Sequence, residues 1–125
     1  MRTIGIDIGT TTISAAVLEY QKDSLEKAEK KILASRTVPN RGFMQTGYEW
    51  ERMQDPSVLV RDAKQLLDQL LDSFPDVGAV GLTGQMHGVV YVNREGKNVS
   101  PLYTWEDGRG DLPGADGESV VSWIQ

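Results

Sequence analysis

Cysteine is absent from the chain, and histidine occurs once, as His87. Without cysteine there are no disulfides and no thiolate metal sites, which fits a protein of the cytoplasm. No apolar run approaches the roughly 20 residues that a transmembrane helix needs, and no long apolar segment follows Arg2 as in a secretory signal peptide. These absences argue against the membrane-spanning and disulfide-stabilised classes of protein.

Basic residues are in the minority, since 13 Lys and Arg stand against 18 Asp and Glu and the formal net charge is −5. Nucleic acids and anionic membranes are bound by a basic face, so we expect neither as a partner. The 125 residues are 39% apolar and 25% charged, an ordinary balance for a globular protein. A chain of this size is long enough for one domain with a buried core.

Strand-like patterns dominate the beginning of the chain. β-branched and small residues alternate in three segments, which are residues 3–8, 12–20 and 31–40. The four residues "GTTT" at 9–12 form the tight turn between the first two strands. Residues 21–31 are rich in charge, and Asp23 and Glu26 have the spacing of a helix capping box. We nevertheless expect a charged connection there, followed by the third strand.

A single long helix is predicted in the middle of the chain. Residues 41–54 contain glycines and aromatics without a period and predict an ordered surface loop. Asp55 is the expected N-cap, and Pro56 stands at the first helical position, where its missing N–H does no harm. Apolar residues then keep helical spacing up to Phe74, and Pro75 ends the helix.

Shorter elements follow the helix. The small apolar residues 77–84 predict a buried strand packed beneath it, and two more short strands are expected at 89–93 and 99–105 before a loop over 106–118. From Ser119 the chain reads as the opening of an amphipathic helix, which favours a piece of a longer protein over a short terminal helix. A helix between the third and fourth strands makes the fold α/β, with a mixed sheet whose first three strands are antiparallel.

The stretch "GIDIGTTT", residues 5–12, combines a carboxylate with a glycine-led turn. Backbone N–H groups in such a turn, together with hydroxyl groups, can hold phosphate oxygens. The hydroxyls here belong to Thr10, Thr11 and Thr12. Asp7 stands between two isoleucines, where an unpaired carboxylate is costly, and it can hold Mg²⁺ through water. The pattern is not a Walker A loop, and a plain hairpin with Asp7 facing solvent is the alternative.

The stretch "GLTGQMHG", residues 81–88, places three different side chains directly after a strand. The carboxyl end of a strand in an α/β sheet is the usual place for a ligand. Gln85 and His87 can each donate and accept hydrogen bonds, and Met86 can pack against C–H surface. This combination suits a sugar or polyol. The alternative is a lone histidine that bonds to a backbone carbonyl near a turn.

The stretch "WEDGR", residues 105–109, also follows a predicted strand. Trp105 can stack on a sugar face, and Asp107 can accept hydrogen bonds from two adjacent hydroxyls. Arg109 can fix that carboxylate or meet an anion, and the alternative is an ordinary acidic turn with a surface tryptophan. If the three stretches gather at one edge of a sheet, a phosphate-holding turn beside a polyhydroxyl site describes a sugar kinase.

These stretches resemble the FGGY carbohydrate kinases of the actin/Hsp70/sugar-kinase superfamily, over residues 3 to about 110. "GIDIGTTT" is similar to the first phosphate motif of that family, and "GLTGQMHG" with "TWEDGR" resembles its xylulokinase and sedoheptulokinase branch. The resemblance implies a ribonuclease H-like fold. It also implies that residues 1–125 are the N-terminal part of the first domain, with the rest of that domain and a second domain absent.

The resemblance further implies ATP-dependent phosphorylation of a ketose. Asp7 would lie near Mg²⁺ and the transferring phosphoryl group, and Gly9 to Thr12 would contact the ATP phosphates. The sugar would be bound by Gln85, Met86, His87, Trp105, Asp107 and Arg109. The catalytic base would be an Asp beyond residue 125, so the chain alone is expected to be inactive. A non-sugar ATPase domain like those of actin and Hsp70 is the alternative, and the oligomeric state, a homodimer included, is left open.

Overall fold

A computed structural model of the chain describes residues 1–20 and 30–124. It contains two compact units, the first formed by Met1–Arg41 and Ser57–Gln85 and the second by Gly42–Pro56 and Met86–Gln125. In chain order the elements are β1 (Arg2–Ile8), β2 (Thr12–Tyr20), β3 (Lys30–Pro39), β4 (Met53–Gln54), α1 (Pro56–Ser73), β5 (Val77–Gly84), β6 (Leu102–Tyr103), a 3₁₀ turn (Gly108–Asp111) and α2 (Val120–Ile124). The capping box expected at Asp23 and Glu26 lies outside the described residues.

The first unit is built on a four-stranded sheet with the order β3-β2-β1-β5. Strands β1, β2 and β3 pair antiparallel, while β5 runs parallel to β1. The parallel pair requires a crossover, and α1 supplies it between β3 and β5. This arrangement confirms the predicted α/β class and the mixed sheet with three antiparallel strands first.

The core of the first unit lies between α1 and one face of the sheet. Strand alternation directs Ile4 and Ile6 of β1 towards the helix, and both are buried. The same layer contains Ile13, Ala15, Val17, Ala63, Leu66 and Leu70. Each large aliphatic side chain in this layer contributes about 1.5–3 kcal/mol by leaving water. The helix begins at Pro56, as the sequence predicted, and ends at Ser73, one residue before the predicted last residue Phe74.

Strand β5 is present where the sequence predicts it, but the prediction that it is buried is wrong. Its side chains lie largely in solvent, with Val80 47% and Leu82 72% exposed. The physical reason is its place at the edge of the sheet, where β1 is its one neighbouring strand among the described residues. A continuous run of small apolar residues resembles a buried strand, but burial also depends on what covers it.

The second unit contains a short antiparallel pair, in which Met53 of β4 faces Tyr103 of β6. The predicted strand over 89–93 is wrong as a continuous strand, because this segment forms only isolated bridges such as that between Val89 and Tyr103. The ladder is interrupted where Tyr91 N donates to the Ser100 hydroxyl, 2.9 Å away, instead of a carbonyl. Proline follows Ser100 in the chain and has no N–H to donate.

The strand predicted over 99–105 is present only as the two residues of β6, whereas two further segments of the second unit follow the sequence closely. The loop predicted over 106–118 contains the 3₁₀ turn, and the helix expected from Ser119 appears as α2. The Ser119 hydroxyl accepts a hydrogen bond from Ser122 N at 3.1 Å, as an N-cap does. In the described part of the chain, no helix is long and apolar enough to cross a membrane.

The two edges of the four-stranded sheet differ in chemistry. β3 carries Lys30, Lys31 and Arg36 and ends at Pro39, all features that discourage pairing with another strand. β5 contains neither charge nor proline over its eight residues. An edge of this kind is a template for pairing with a further strand.

We therefore expect the 125-residue chain to self-associate through β5. Replacing Leu82 with Lys should shift sedimentation velocity profiles towards the monomer, because a charged side chain on an edge strand opposes pairing. Val60→Lys is the matched control, since Val60 is exposed to a similar degree, 65% against 72%, but lies on α1. A wild-type chain that stays monomeric at high concentration, or a Val60 variant with the same effect, would contradict the expectation.

Candidate functional site

The turn between β1 and β2, where the sequence predicts phosphate binding, is closed tightly at Gly9. Gly9 N donates to Thr12 O at 2.9 Å and closes the turn. A Cβ atom on Gly9 would lie 2.9 Å from the same oxygen, so a larger residue does not fit. Thr11 and Thr12 are exposed at the tip, so their hydroxyls are accessible to a ligand.

Asp7 lies on the sheet face opposite α1, because its neighbours Ile6 and Ile8 alternate towards the other side. In the sheet register its partners are Ser14 on β2 and Thr83 on β5. These side chains line a depression of about 410 Å³ on that face. A carboxylate surrounded by hydroxyls is chemically suited to solvent and to a hydrated cation.

A magnesium ion would find one protein carboxylate here. Within residues 1–20 and 30–124, no group of three or more His, Asp or Glu could hold a metal ion by itself. Mg²⁺ keeps several waters and is often bound through one or two carboxylates together with substrate phosphates. A lone Asp7 close in sequence to the β1–β2 turn is compatible with that pattern, while a site made entirely of protein ligands is not.

Gln85 lies against the turn rather than with the residues that follow it. Its backbone N donates to Ile8 O at 2.9 Å, and its side-chain Oε1 accepts from the Thr10 hydroxyl at 3.2 Å. Gln85 is the last residue of the first unit, whereas Met86 and His87 belong to the second. A sugar-binding role for Gln85 therefore stays a prediction, and the contact with Thr10 is what the structure describes.

His87 has an unusual backbone conformation. Its φ of 60° is the one positive value of a non-glycine residue in the described ranges. The left-handed region costs an L-residue about 1–2 kcal/mol. Gly88, which follows, could not carry a side chain without displacing Leu102, whose Cδ1 would lie 3.0 Å from the added Cβ. Strain held in place by close packing is common at ligand sites.

His87 opens onto a cavity of about 350 Å³ within the second unit. The lining residues are His87, Val89, Tyr91, Tyr103, Thr104, Asp107 and Arg109. Tyr91 and Tyr103 meet edge to face, with ring centroids 6.4 Å apart. Imidazole, phenol and hydroxyl groups beside aromatic surface can bind the hydroxyls and the C–H faces of a polyol.

Asp107 is tied into its own loop by four hydrogen bonds. Oδ1 accepts from Arg109 Nε at 2.6 Å and from Arg109 N at 3.2 Å, and Oδ2 accepts from Arg109 Nη2 at 3.1 Å and from Arg52 N at 3.0 Å. The side chain is only 3% exposed. Four donors occupy the lone-pair sites of a carboxylate. Asp107 therefore holds the loop, and its direct contact with a sugar stays a prediction.

Arg109 fixes the Asp107 carboxylate, which is one of the two roles that the sequence suggests for it. Its guanidinium carbon lies 4.1 Å from the Tyr103 ring centroid and 5.8 Å from that of Trp50. Gly108 brings the loop close to Trp50, and its N–H donates to Trp50 O at 2.9 Å. The pKa of the Asp107 carboxyl is lowered, chiefly by the hydrogen bond from the Arg109 side chain.

Met86 and Trp105 are large apolar side chains that lie mostly in solvent, 72% and 58% exposed. Trp105 follows Thr104, which is buried and donates from both its N–H and its hydroxyl to Arg52 O, at 3.0 and 2.8 Å. The segment that carries Trp105 is thereby fixed at Thr104 on one side and at Asp107 on the other. Large apolar side chains held in solvent by a rigid segment are available to a ligand.

Several residues of the site were not expected from the sequence. Tyr91 and Tyr103 line the cavity, and the alternation within "VVYVN" puts Tyr91 on the same side as Val89, which is a signal that the pattern does contain. Arg52 acts through its backbone N–H, and no local pattern reveals that. Asn40 bonds to the turn through its side chain, whereas its place in the sequence predicts only the end of a strand.

Known proteins match most of the chain. Residues 2–111 match the sequence profile of the "FGGY family of carbohydrate kinases, N-terminal domain". Xylulose kinase of Escherichia coli K12 is 33% identical over 106 residues, which cover 85% of this chain and 20% of that protein. Sedoheptulokinase of Mus musculus is 32% identical over 129 residues, covering 86% of this chain and 26% of that protein. The chain thus spans about a fifth to a quarter of these relatives' length.

Solved structures share the fold. Xylulose kinase from Rhodospirillum rubrum has a TM-score of 0.70 at 23% identity, over 88% of this chain and 21% of that one. Plasmodium falciparum glycerol kinase with ADP has a TM-score of 0.70 at 17% identity, again over 88% of this chain and 21% of that one. At identities this low, the likeness shows a shared fold alone. It confirms the ribonuclease H-like class that the family resemblance implies.

The strain at His87 predicts that a glycine variant is more stable than an alanine variant there, which is the reverse of the order expected at an unstrained position. His87→Gly should be more stable than His87→Ala by about 1 kcal/mol, since glycine adopts a positive φ without steric cost. At Glu106, which is exposed and has a negative φ, the alanine variant should be the more stable of the pair. Urea unfolding of the four variants measures both differences. Equal stability of the two variants at position 87 would show that no strain is held there.

The saturated carboxylate predicts a pH-dependent stability. Asp107→Asn should lower the free energy of unfolding by about 1–3 kcal/mol near neutral pH, because hydrogen bonds to a charged group are lost. Since the folded pKa of Asp107 is lowered from 3.8, this stabilisation is present above about pH 4 and is lost as pH falls through the lowered value. The gap between wild type and variant should therefore close in acid.

Glu106→Gln makes the same charge change on an exposed neighbour and serves as the control for Asp107→Asn. Urea unfolding between neutral pH and about pH 2 compares the three proteins, since this range brackets the ordinary pKa of a carboxylate. A gap between wild type and Asp107→Asn that stays constant over the whole range would rule out the carboxylate as its source.

Proposed function

The chain belongs to the FGGY family of carbohydrate kinases, and on this premise we propose that it supplies the phosphate turn and the sugar seat of an ATP-dependent ketose kinase. The match covers only 20% of the Escherichia coli xylulose kinase and 26% of the Mus musculus sedoheptulokinase, so the activity proposed is that of a whole protein. The proposed substrate is xylulose or sedoheptulose, since a xylulose kinase and a sedoheptulokinase are among the relatives that the chain matches.

The turn of the first unit is the proposed contact with the phosphates of ATP. Gly9 allows the tight closure, and the exposed hydroxyls of Thr11 and Thr12 can donate to phosphate oxygens. Asp7 would hold Mg²⁺ through water on the neighbouring sheet face. The ion, when bound, neutralises charge on the transferring phosphoryl group, and phosphoryl transfer depends mainly on such positioning and charge stabilisation.

The cavity of the second unit is the proposed sugar seat. His87 can donate to and accept from hydroxyl groups, while Met86 and Trp105 offer apolar surface to the C–H face of a ketose. Asp107 and Arg109 keep the wall of this cavity in place. The main support is that a strained histidine is held at the mouth of a polar and aromatic cavity, because strain of this kind persists where the surrounding packing enforces it.

A base is still required to accept the proton of the attacking hydroxyl. We expect that base to be an Asp beyond residue 125, as the resemblance implies, and we propose that the 125-residue chain binds ligands without turnover. A positioned base contributes about 10²–10⁴-fold to such a reaction. An actin-like or Hsp70-like ATPase without a sugar substrate is the second candidate. It would use the turn in the same way and would leave the cavity at His87 unexplained.

The proposal predicts ketose binding without catalysis. D-xylulose or sedoheptulose titrated into the chain should release heat with a saturable isotherm, and addition of ATP and Mg²⁺ should produce no ADP above background. His87→Ala should weaken ketose binding about tenfold, which is a loss of about 1.4 kcal/mol. Lys97→Ala, an exposed change elsewhere in the second unit, should leave it unaltered.

Two results would count against a sugar kinase. If neither ketose binds the wild-type chain, the cavity is no sugar seat, and nucleotide binding at the turn would then favour the ATPase alternative. If the chain alone releases ADP in the presence of a ketose, the catalytic base lies within residues 1–125 and the proposed division of labour is wrong.

A further inference from the structure

Asn40 makes two hydrogen bonds to the turn between β1 and β2. It follows the last residue of β3 and is only 9% exposed. Its backbone N donates to Thr11 O at 2.8 Å, and its side-chain Nδ2 donates to Gly9 O at 2.9 Å. A buried amide side chain with a defined partner is part of the structure of that partner. Asn40 therefore belongs to the turn, although 28 residues separate it in sequence from Thr12.

These bonds change what the turn presents to an anion. Carbonyl oxygens carry partial negative charge and repel a phosphate group, whereas N–H groups attract it. Asn40 occupies the carbonyls of Gly9 and Thr11, and Gly9 N occupies that of Thr12. Three carbonyls of the turn are thus directed at donors of the protein. The peptide groups that carry them are fixed in orientation, and so are the N–H groups on the same peptide planes.

The turn is also held from its other side. The Thr10 hydroxyl donates to Gln85 Oε1 at 3.2 Å, and Gln85 follows β5. Since the sheet order is β3-β2-β1-β5, Asn40 and Gln85 arrive from the two strands that flank the β1–β2 hairpin. A loop that depended on its own four residues would sample several shapes. Contacts from both flanking strands reduce that freedom before any ligand binds.

We propose that Asn40 is a positioning residue for polyphosphate binding at this turn, acting by keeping the turn carbonyls away from the ligand. The inference rests on the phosphate-binding role proposed above for Gly9 to Thr12. Asn40 does not touch the ligand. It orients the backbone that does, so its removal weakens binding of the di- or triphosphate group of a nucleotide and leaves the sugar seat unchanged.

The experiment uses the ¹⁵N-labelled 125-residue chain titrated with ATP in the presence of MgCl₂. In the wild type, the amide signals of Gly9, Thr10, Thr11 and Thr12 should shift with a saturable dependence on concentration. Asn40→Leu keeps the branching at Cγ and the backbone N–H but removes the side-chain donor, and its dissociation constant should rise about tenfold. Asn98→Leu is the control, since Asn98 is an exposed asparagine of the second unit.

A second variant separates the hydrogen bond from simple loss of folding. Asn40→Asp places a carboxylate oxygen against Gly9 O near neutral pH, where it can only repel. Protonation restores a donor as the pH is lowered towards about 4. The ¹³C′ signal of Gly9 and the affinity for ATP should therefore recover in acid for this variant, relative to the wild type at the same pH. Asn40→Leu should not recover.

The outcomes distinguish two failures. If the turn amides of the wild type do not respond to ATP, the phosphate-binding role itself is wrong, and the role of Asn40 falls with it. If they respond and Asn40→Leu binds as tightly as the wild type, only the inference about Asn40 is overturned. If Asn40→Leu does not fold, the acid recovery of Asn40→Asp decides, and its absence overturns the inference.

Discussion

Burial of Ile4 and Ile6 beneath α1 determines which way the rest of β1 faces. Successive residues of a strand point to opposite sides of the sheet, so fixing these two side chains in the core also fixes Gly5 and Asp7 on the open face. A shift of one residue in register would exchange the two sets. The carboxylate of Asp7 and the start of the turn at Gly9 thus owe their positions to an apolar contact on the far side of the strand.

The second unit depends on a polar contact in a similar way. The Asp107 carboxylate joins Arg52 of one segment to Arg109 of another. It accepts from the Arg52 backbone N–H, and its bidentate pairing with the Arg109 side chain restricts Arg109 in distance and in angle. Most of the cost of burying this charge is offset because each oxygen accepts two hydrogen bonds. The Arg109 guanidinium is in turn stacked over Tyr103, and this couples the loop to the aromatic wall of the cavity.

Local patterns in the sequence predict most of the fold but less of the candidate site. The hairpin at Gly9, the helix from Pro56 and the parallel strand β5 follow from alternation, helical spacing and turn residues, which act between near neighbours in the chain. The exposure of β5 and the broken ladder at Tyr91 do not, because they depend on which strands are adjacent and on a side chain nine residues away. The local periodicity of a sequence does not reveal which distant residues contact each other.

Asn40 and Asp107 show that local sequence patterns are also limited in what they predict about function. Both are polar residues in short motifs or at the end of a strand, and their chemistry alone is compatible with binding a ligand. Their partners in the fold are backbone groups at Gly9, Thr11 and Arg52, and a backbone group gives no signal in a sequence. The family resemblance implies the reaction class, but only the hydrogen-bond partners in the fold distinguish a residue that binds a ligand from a residue that positions another group.

The distinction between residues that position and residues that bind divides several of the predicted site residues into two groups. Asp107 and Gln85 have side-chain acceptors that groups of the protein already use, and their removal would leave donors without a partner. Thr11, Met86 and His87 are exposed instead, so the packing of their side chains contributes little to the stability of the fold. His87 even adopts a backbone conformation that opposes folding. Exposed groups held rigidly by saturated neighbours are what a binding site needs, because a ligand then finds its partners already oriented.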